Sequence, residues 1–383
     1  MKKIGLALVV LLVAAASIFY GVLPQRIDRK MNVVIPHDPY EISEAAQTLH
    51  DSIPVADLHS DMLLWRRNPA KENSRGHTDV PRLLAGGVAL QVFTAVTKSP
   101  SGLNYEENDA ATDDITMLTV VQAWPRRTWD SIYERAAYQA QRLDKLERDA
   151  PDAFVYVKSA SDLNKALDRG VLAGVYGIEG AHPLEGELEN IDRLYDLGLR
   201  IMGLQHFFDN ELGGSLHGQS GAGLTDFGKA AVDRAIAKGM IIDVAHSSEQ
   251  VVWDVLARTE RPVIVSHTGM KGHCDTARNI SDDLMKAIAD AGGLVGIGFW
   301  DAAVCDASPA GIADALLYAV EHLGVDHVAL GSDFDGTVTT PIDGSEMVAL
   351  SQALLDKGAD EATIRAVMGE NAVRFFRANL PPR

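Results

Sequence analysis

The chain has 383 residues, 46% of them hydrophobic, enough for a core larger than that of an ordinary domain of about 100 to 150 residues. Lys and Arg number 35 against 53 Asp and Glu, a formal charge of -18 with no basic run to offset it, which excludes nucleic acid as a partner. Cys274 and Cys305 are too few for a disulfide framework; a single bridge would need an oxidising compartment, and with no geometry in their spacing they are expected to stay unpaired.

Lys2 and Lys3 precede an uncharged run from Ile4 to Leu23, 20 residues long, about the length that spans a bilayer as a helix. Its "AAAS" at 14–17 also fits a signal cleavage site, so residues 1–24 read as a signal peptide or an N-terminal membrane anchor; the continuing "IFYGVL" favours the anchor. The leading lysines put the remainder across the membrane, an exported, periplasmic or extracytoplasmic location. Residues 25–50 read as a linker and approach segment, and 51–380 as one catalytic domain.

From residue 51 onward a pattern recurs: a short apolar, β-branched run, a polar or glycine-rich turn, then an amphipathic stretch. The predicted strands are "PVADLH", "VALQVFTAV", "LAGVYGIEG", "RIMGLQH", "MIIDVAH", "PVIVSH", "LVGIGFW" and "HVALGSD". The predicted helices between them include "TWDSIYERAAYQAQRLDKLERDA", "ENIDRLYDLG", "DFGKAAVDRAIAKG", "SSEQVVWDVLART", "SDDLMKAIADAG" and "PAGIADALLYAVEHLG", commonly ending in Gly as helix C-termini prefer. Strand then helix, eight times over, predicts a closed parallel (β/α)8 barrel, with a doubly wound open sheet as the competing fold.

The polar residues favour the barrel, whose chemistry gathers where strands end. Strand one ends in His59 and Asp61, strand three in Glu179, strand four in His206, strand five in His246, strand six in His267 and strand eight in Asp333. Imidazole and carboxylate together suit zinc, ahead of manganese, cobalt or iron, and the ligands exceed what one ion needs. Two metals are therefore expected, with Glu179 of "YGIEG" as the bridge, a pair able to activate a shared water and polarise a carbonyl. Asp333 of "LGSDFDG" is a candidate general base and acid; Asp335 shares its spacing and reads equally well as a turn residue. Arg278 reads from composition as a surface arginine, or at a barrel mouth as a clamp for a substrate carboxylate. His182 and His217, in loops, are left out of the site, although the Gly-rich loop of His217 could cover the mouth.

The segments "DLHSD", "HTDVPRLLAGGVALQVF", "GIEG", "LQHFFDN", "GLTDFGKAAV", "IIDVAHSS", "PVIVSHTG", "ARNISDD", "LGSDFDG" and "GENAVRFF", in this order over residues 51 to 377, resemble the membrane dipeptidase (renal dipeptidase) family, peptidase family M19 of the amidohydrolase superfamily. The resemblance implies a metallo-dependent hydrolase barrel with two Zn2+ per chain, or another divalent metal. In it His59 and Asp61 hold one ion, His246 and His267 the other, and Glu179 bridges them. It further implies that His206 contacts the substrate or its oxyanion, that Arg278 binds the C-terminal carboxylate, and that Asp333, not Asp335, shuttles the proton. The expected partners are a small dipeptide, including one with a C-terminal D-residue, and a second copy of the chain in a homodimer. The membrane enters only through the N-terminal segment.

Two stretches depart from better-known members, "FFDNELGGSLHG" after His206 and the insert from residue 99 to 130, and both are expected to shape the pocket. An N-acyl-amino-acid or other amide hydrolase on the same site is the alternative. A non-catalytic peptide- or zinc-binding protein would have lost a ligand, and none is missing; glycoside hydrolysis would need two unmetallated carboxylates, against the histidine count.

Overall fold

The structure, a computed structural model, describes residue 4 and residues 16–383. Most of the apolar run from Ile4 to Leu23 lies outside the described residues, and among those described no helix is long and apolar enough to cross a membrane.

The strands in chain order are β1 (Val33–Val34), β2 (Val55–Ser60), β3 (Val88–Val96), β4 (Phe154–Val157), β5 (Leu172–Glu179), β6 (Leu199–Gly203), β7 (Ile241–Asp243), β8 (Ile264–Thr268), β9 (Leu294–Ile297), β10 (Val328–Leu330) and β11 (Thr339–Thr340). β2, β3 and β5 to β10 are all parallel and form a ring, β10 pairing with β2 and β3 with β5. This is the expected (β/α)8 barrel. Its strands correspond to the eight expected runs, and β2 and β5 to β10 are buried along their whole length. With the ring interior on one side and helices on the other, neither face meets water, and alternation gives way to continuous hydrophobic runs.

Three short strands were not expected. β4 lies outside the ring as an edge strand on β5, and β1 pairs with β11 in a separate two-stranded sheet. Elements of two to four residues are too short to show a period. The expected helix over 128–150 is broken at Ser131, whose extended backbone lets its hydroxyl cap the amide of Glu134 and start the helix Ile132–Asp149. The helices ahead of β7 and β9 are followed by Gly239 and Gly292 at φ 77° and 82°, the left-handed turn that glycine adopts without strain.

The segment expected as a linker and approach packs against the barrel domain through a salt-bridged helix. The helix Leu23–Met31 carries Asp28, 1% exposed, whose Oδ2 lies 3.2 Å from Arg67 Nε and 2.7 Å from Arg75 Nε. The expectation of unpaired cysteines is also corrected: Cys274 and Cys305 form a disulfide, with their Cα atoms 5.6 Å apart. The sequence interval hides this because the two follow neighbouring strands, β8 and β9, whose loops meet at the mouth.

The loop after β10 has left-handed backbone at three non-glycine residues, Asp333, Asp335 and Thr337, with φ of 60°, 66° and 64°. Asp335 holds it. Its buried carboxylate accepts from the amide of His77 (2.7 Å) and the hydroxyl of Thr78 (2.6 Å) and pairs with Arg67 Nη2 at 2.7 Å. Burial opposes this charge, but Arg67 and His77 outweigh it and hold the carboxyl far below the usual carboxylate range. A depressed folded-state pKa contributes stability that is present above the unfolded value, about 3.9, and lost as pH falls below it. Asp335→Asn, which leaves buried Arg67 with Asp28 as its one carboxylate partner, is expected to cost about 3 kcal/mol at neutral pH, read as a lowered denaturation midpoint. The deficit against the wild type should narrow as pH falls below about 4.

Candidate metal centre

The ring delivers the expected residues to one place, each by a short path from a strand end. His59 lies within β2, with Asp61 just beyond it; Glu179 is the last residue of β5, and His267 lies within β8. His206, His246 and Asp333 each stand three residues past the ends of β6, β7 and β10. All seven are buried.

Glu179 is the centre. Its Oε1 is 3.0 Å from His246 Nε2, 3.3 Å from His267 Nε2 and 3.7 Å from His59 Nε2, while Oε2 is 3.5 Å from His206 Nε2. His246 and His267 bring their Nε2 atoms to 2.9 Å of each other. His59 Nε2 is also 3.6 Å from Asp61 Oδ1 and 3.8 Å from Asp333 Oδ1. Gly180 follows Glu179 at φ 78°, and a Cβ there would meet the His182 ring at 2.6 Å.

Three overlapping sets of donor atoms lie within metal-ligand reach: His59, Asp61 and Glu179; Glu179, His206 and His246; and His59, His267 and Asp333. The donor chemistry, nitrogen and oxygen converging from several strands, fits a divalent ion such as zinc. The first set is the expected group for one ion. The other sets cross the expected division, since His206 shares a set with His246, and His267 shares one with His59.

The electrostatics fit cations too. Burial, then repulsion from Asp61, raises the Glu179 carboxyl well above its ordinary range, and burial lifts Asp333 to about 8. Burial opposes the charge on His59, yet Glu179, Asp61 and Asp333 together raise it to about 10. His246 and His267 are pushed well below the ordinary value by burial and neighbouring cationic groups, leaving neutral imidazoles suited to ligation. A second layer aims the rings: Ser266 Oγ lies 3.2 Å from His59 Nδ1 and 2.9 Å from His267 Nδ1, and Thr94 donates to Asp61 at 2.7 Å.

Arg278 is no surface arginine. It is 1% exposed and donates to the carbonyls of His267 (2.6 Å) and Ala245 (3.2 Å), its guanidinium 5.3 Å from the Trp300 ring centre. It also donates to the Thr268 hydroxyl at 2.8 Å, and among the described residues no carboxylate lies within ion-pairing distance of it, so a charge without an anionic partner borders the cavity.

Sequence reasoning missed Tyr105 and passed over His217. The insert places half-buried Tyr105 in the cavity wall, its hydroxyl accepting from Trp300 Nε1 at 3.1 Å. His217 is fully buried, donates from Nδ1 to the carbonyl of Tyr105 at 2.7 Å and meets His246 edge to face, so it braces the site from behind. His182 is likewise a buried structural residue, stacked on Phe208. The flagged insert and Gly-rich loop were the only signals; neither indicated that the two loops fasten to each other, through Asn108 N–H donating to His217 O at 2.8 Å.

The sequence pattern of the membrane dipeptidase family (peptidase family M19) matches residues 43–380. A dipeptidase of Aspergillus terreus, ataJ, is 26% identical over 91% of this chain and 89% of its own. Among solved structures, dipeptidase AC, a metallopeptidase of family M19, is 26% identical with a TM-score of 0.70, covering 86% of this chain and 99% of that one. A metallopeptidase of Rhodobacter sphaeroides, liganded with a phosphinate mimic of the dipeptide L-Ala-D-Ala, shares the fold at 24% identity and a TM-score of 0.70, over 86% of this chain and 99% of its own. With most of its length matched, the chain belongs to the membrane dipeptidase family, peptidase family M19.

Proposed function

We propose that this chain is a zinc-dependent dipeptidase with two ions per chain. The observation that carries the reading is the position of Glu179, with one carboxylate oxygen against three imidazoles and the other against His206, while the carboxylate-free Arg278 borders the same cavity. His59, Asp61 and Glu179 would hold one ion; Glu179, His246 and His267 the other. Bound there, the ions would supply Lewis-acid polarisation of the scissile carbonyl and a water acidic enough to attack at neutral pH.

The chain's own residues do the rest. Arg278 receives the substrate carboxylate through its guanidinium and so sets which amide enters. His206 faces Oε2 of Glu179 alone, while His246 and His267 converge with each other on Oε1, so its Nε2 is left to contact the substrate beside the cluster. Its Nδ1 lies 3.3 Å from the carbonyl of Lys98, a hydrogen bond that orients the ring toward the cavity. Asp333 takes a proton from the attacking water and returns it to the leaving amine as the C–N bond breaks. The Cys274–Cys305 disulfide supports an oxidising, extracytoplasmic compartment for this work.

Elemental analysis of protein purified without chelator is expected to find about two zinc per chain. Glu179→Gln should lose metal, because it weakens both groups at once. Asp333→Asn and His206→Ala should keep metal while kcat falls by about 10²–10⁴; loss of metal in His206→Ala would make it a ligand instead. Arg278→Ala should raise KM for dipeptides roughly 10- to 100-fold, with a much smaller change for dipeptide amides, which lack the carboxylate. An equal change for both would remove Arg278 from substrate binding.

A further inference from the structure

The cavity above the ligand cluster encloses about 720 Å³, well within the ~300–1,000 Å³ that holds drug-sized ligands and more than two small residues need. Its two sides differ in chemistry. Arg278 is tied to Ala245 and His267, on the side of β7 and β8. In the ring, β2 stands opposite β7 and β3 opposite β8. The facing wall is apolar and is built by Leu64 after β2, by Leu103, Met117 and Leu118 from the insert after β3, and by Ile27 and Met31 of the helix Leu23–Met31. That helix precedes the residues matched by the family. Met31, Leu103 and Met117 are 40%, 40% and 63% exposed, a cost a fold accepts where something apolar is to be bound. Besides Asp61, Glu179 and Asp333 of the cluster, the cavity's carboxylates are Glu106 and Asp114, and both of these are exposed.

We infer that this wall is a subsite for a large apolar substituent on the carbonyl side of the scissile amide. The inference rests on the proposed hydrolase reading, which seats the substrate carboxylate on Arg278. A carboxylate held there sends the other end of the substrate across the cluster toward β2 and β3. The substrate class is then an amide with a C-terminal carboxylate and, on its acyl half, an extended hydrocarbon group. Two sources share that chemistry: a dipeptide with a long apolar N-terminal side chain, and an N-acyl amino acid.

The test measures kcat/KM on the full metal-loaded chain for two series with C-terminal alanine fixed. One series has N-terminal alanine, norvaline, norleucine and 2-aminooctanoate; the other has N-alkanoyl groups of matching length. Dissociation constants of the matching phosphinate mimics are measured in parallel. In the wild type each added methylene is expected to improve binding by roughly two- to fourfold. Met31→Asp should flatten that slope, and so should Met117→Asp at the more exposed part of the wall, where substitution disturbs little packing. A slope in the dipeptide series supports both readings, and a slope in the N-acyl series alone supports the subsite while overturning the dipeptidase. Hydrolysis of Ala-Ala with no dependence on chain length, or a slope unchanged in both variants, overturns the subsite and leaves the dipeptidase standing. No hydrolysis and no phosphinate binding in either series overturns both.

Discussion

Closure of the ring is the constraint on which everything else depends. β3 pairs with β5 from Leu90–Ala173 to Val96–Glu179, so the last residue of β5 is set against the last residue of β3 at one level. Once β10 also joins β2, the strand ends cannot diverge, and side chains from distant parts of the sequence meet around Glu179. An open sheet of the same strands would leave His59 and His246 on a line. In the ring they share one carboxylate oxygen.

That convergence has an electrostatic cost the fold does not cancel by itself. Asp61, Glu179 and Asp333 are buried together, with His59 and Arg278 as the nearest cationic groups. Two other buried carboxylates have cationic partners: Asp335 has Arg67, and Asp28 has Arg67 and Arg75. The contrast is informative, because a buried carboxylate without a paired cation is expensive unless a metal takes that place. Around the cluster a hydrogen-bonded layer fixes ring directions. Asp243 accepts from the Ser266 amide at 3.0 Å, and the Ser266 hydroxyl in turn contacts both His59 and His267. This layer orients the candidate ligands.

Much of this was legible before any coordinates. The eight barrel strands were readable because burial on both faces makes each a short continuous hydrophobic run bounded by turns, and the helices because their apolar stripes recur with the helical period. The seven buried site residues were readable because a barrel converts "end of a strand" into "one place in space". The rest was hidden for specific reasons. Arg278, a candidate clamp from its place in the chain, still reads by composition as a surface arginine until the β8–β9 loop folds it under Trp300. His217 and Tyr105 belong to two loops that brace each other, a long-range contact that leaves no local period. The disulfide depends on β8 and β9 being neighbours, and the docked N-terminal helix depends on Asp28 finding Arg67 and Arg75.

By itself, then, the sequence determined the barrel, its order of strands, the identity of the residues at their ends and the class of chemistry they support. Those properties follow from local periodicity and residue type, which need no knowledge of the partner. Tertiary structure alone decided that one oxygen of Glu179 serves three histidines, that Asp335 is an anchor while Asp333 faces the cavity, and that Ile27, Met31 and the insert enclose an apolar wall. Each of these depends on distances between segments remote in the chain, and such distances are set by ring closure and side-chain packing, which no stretch of sequence encodes alone.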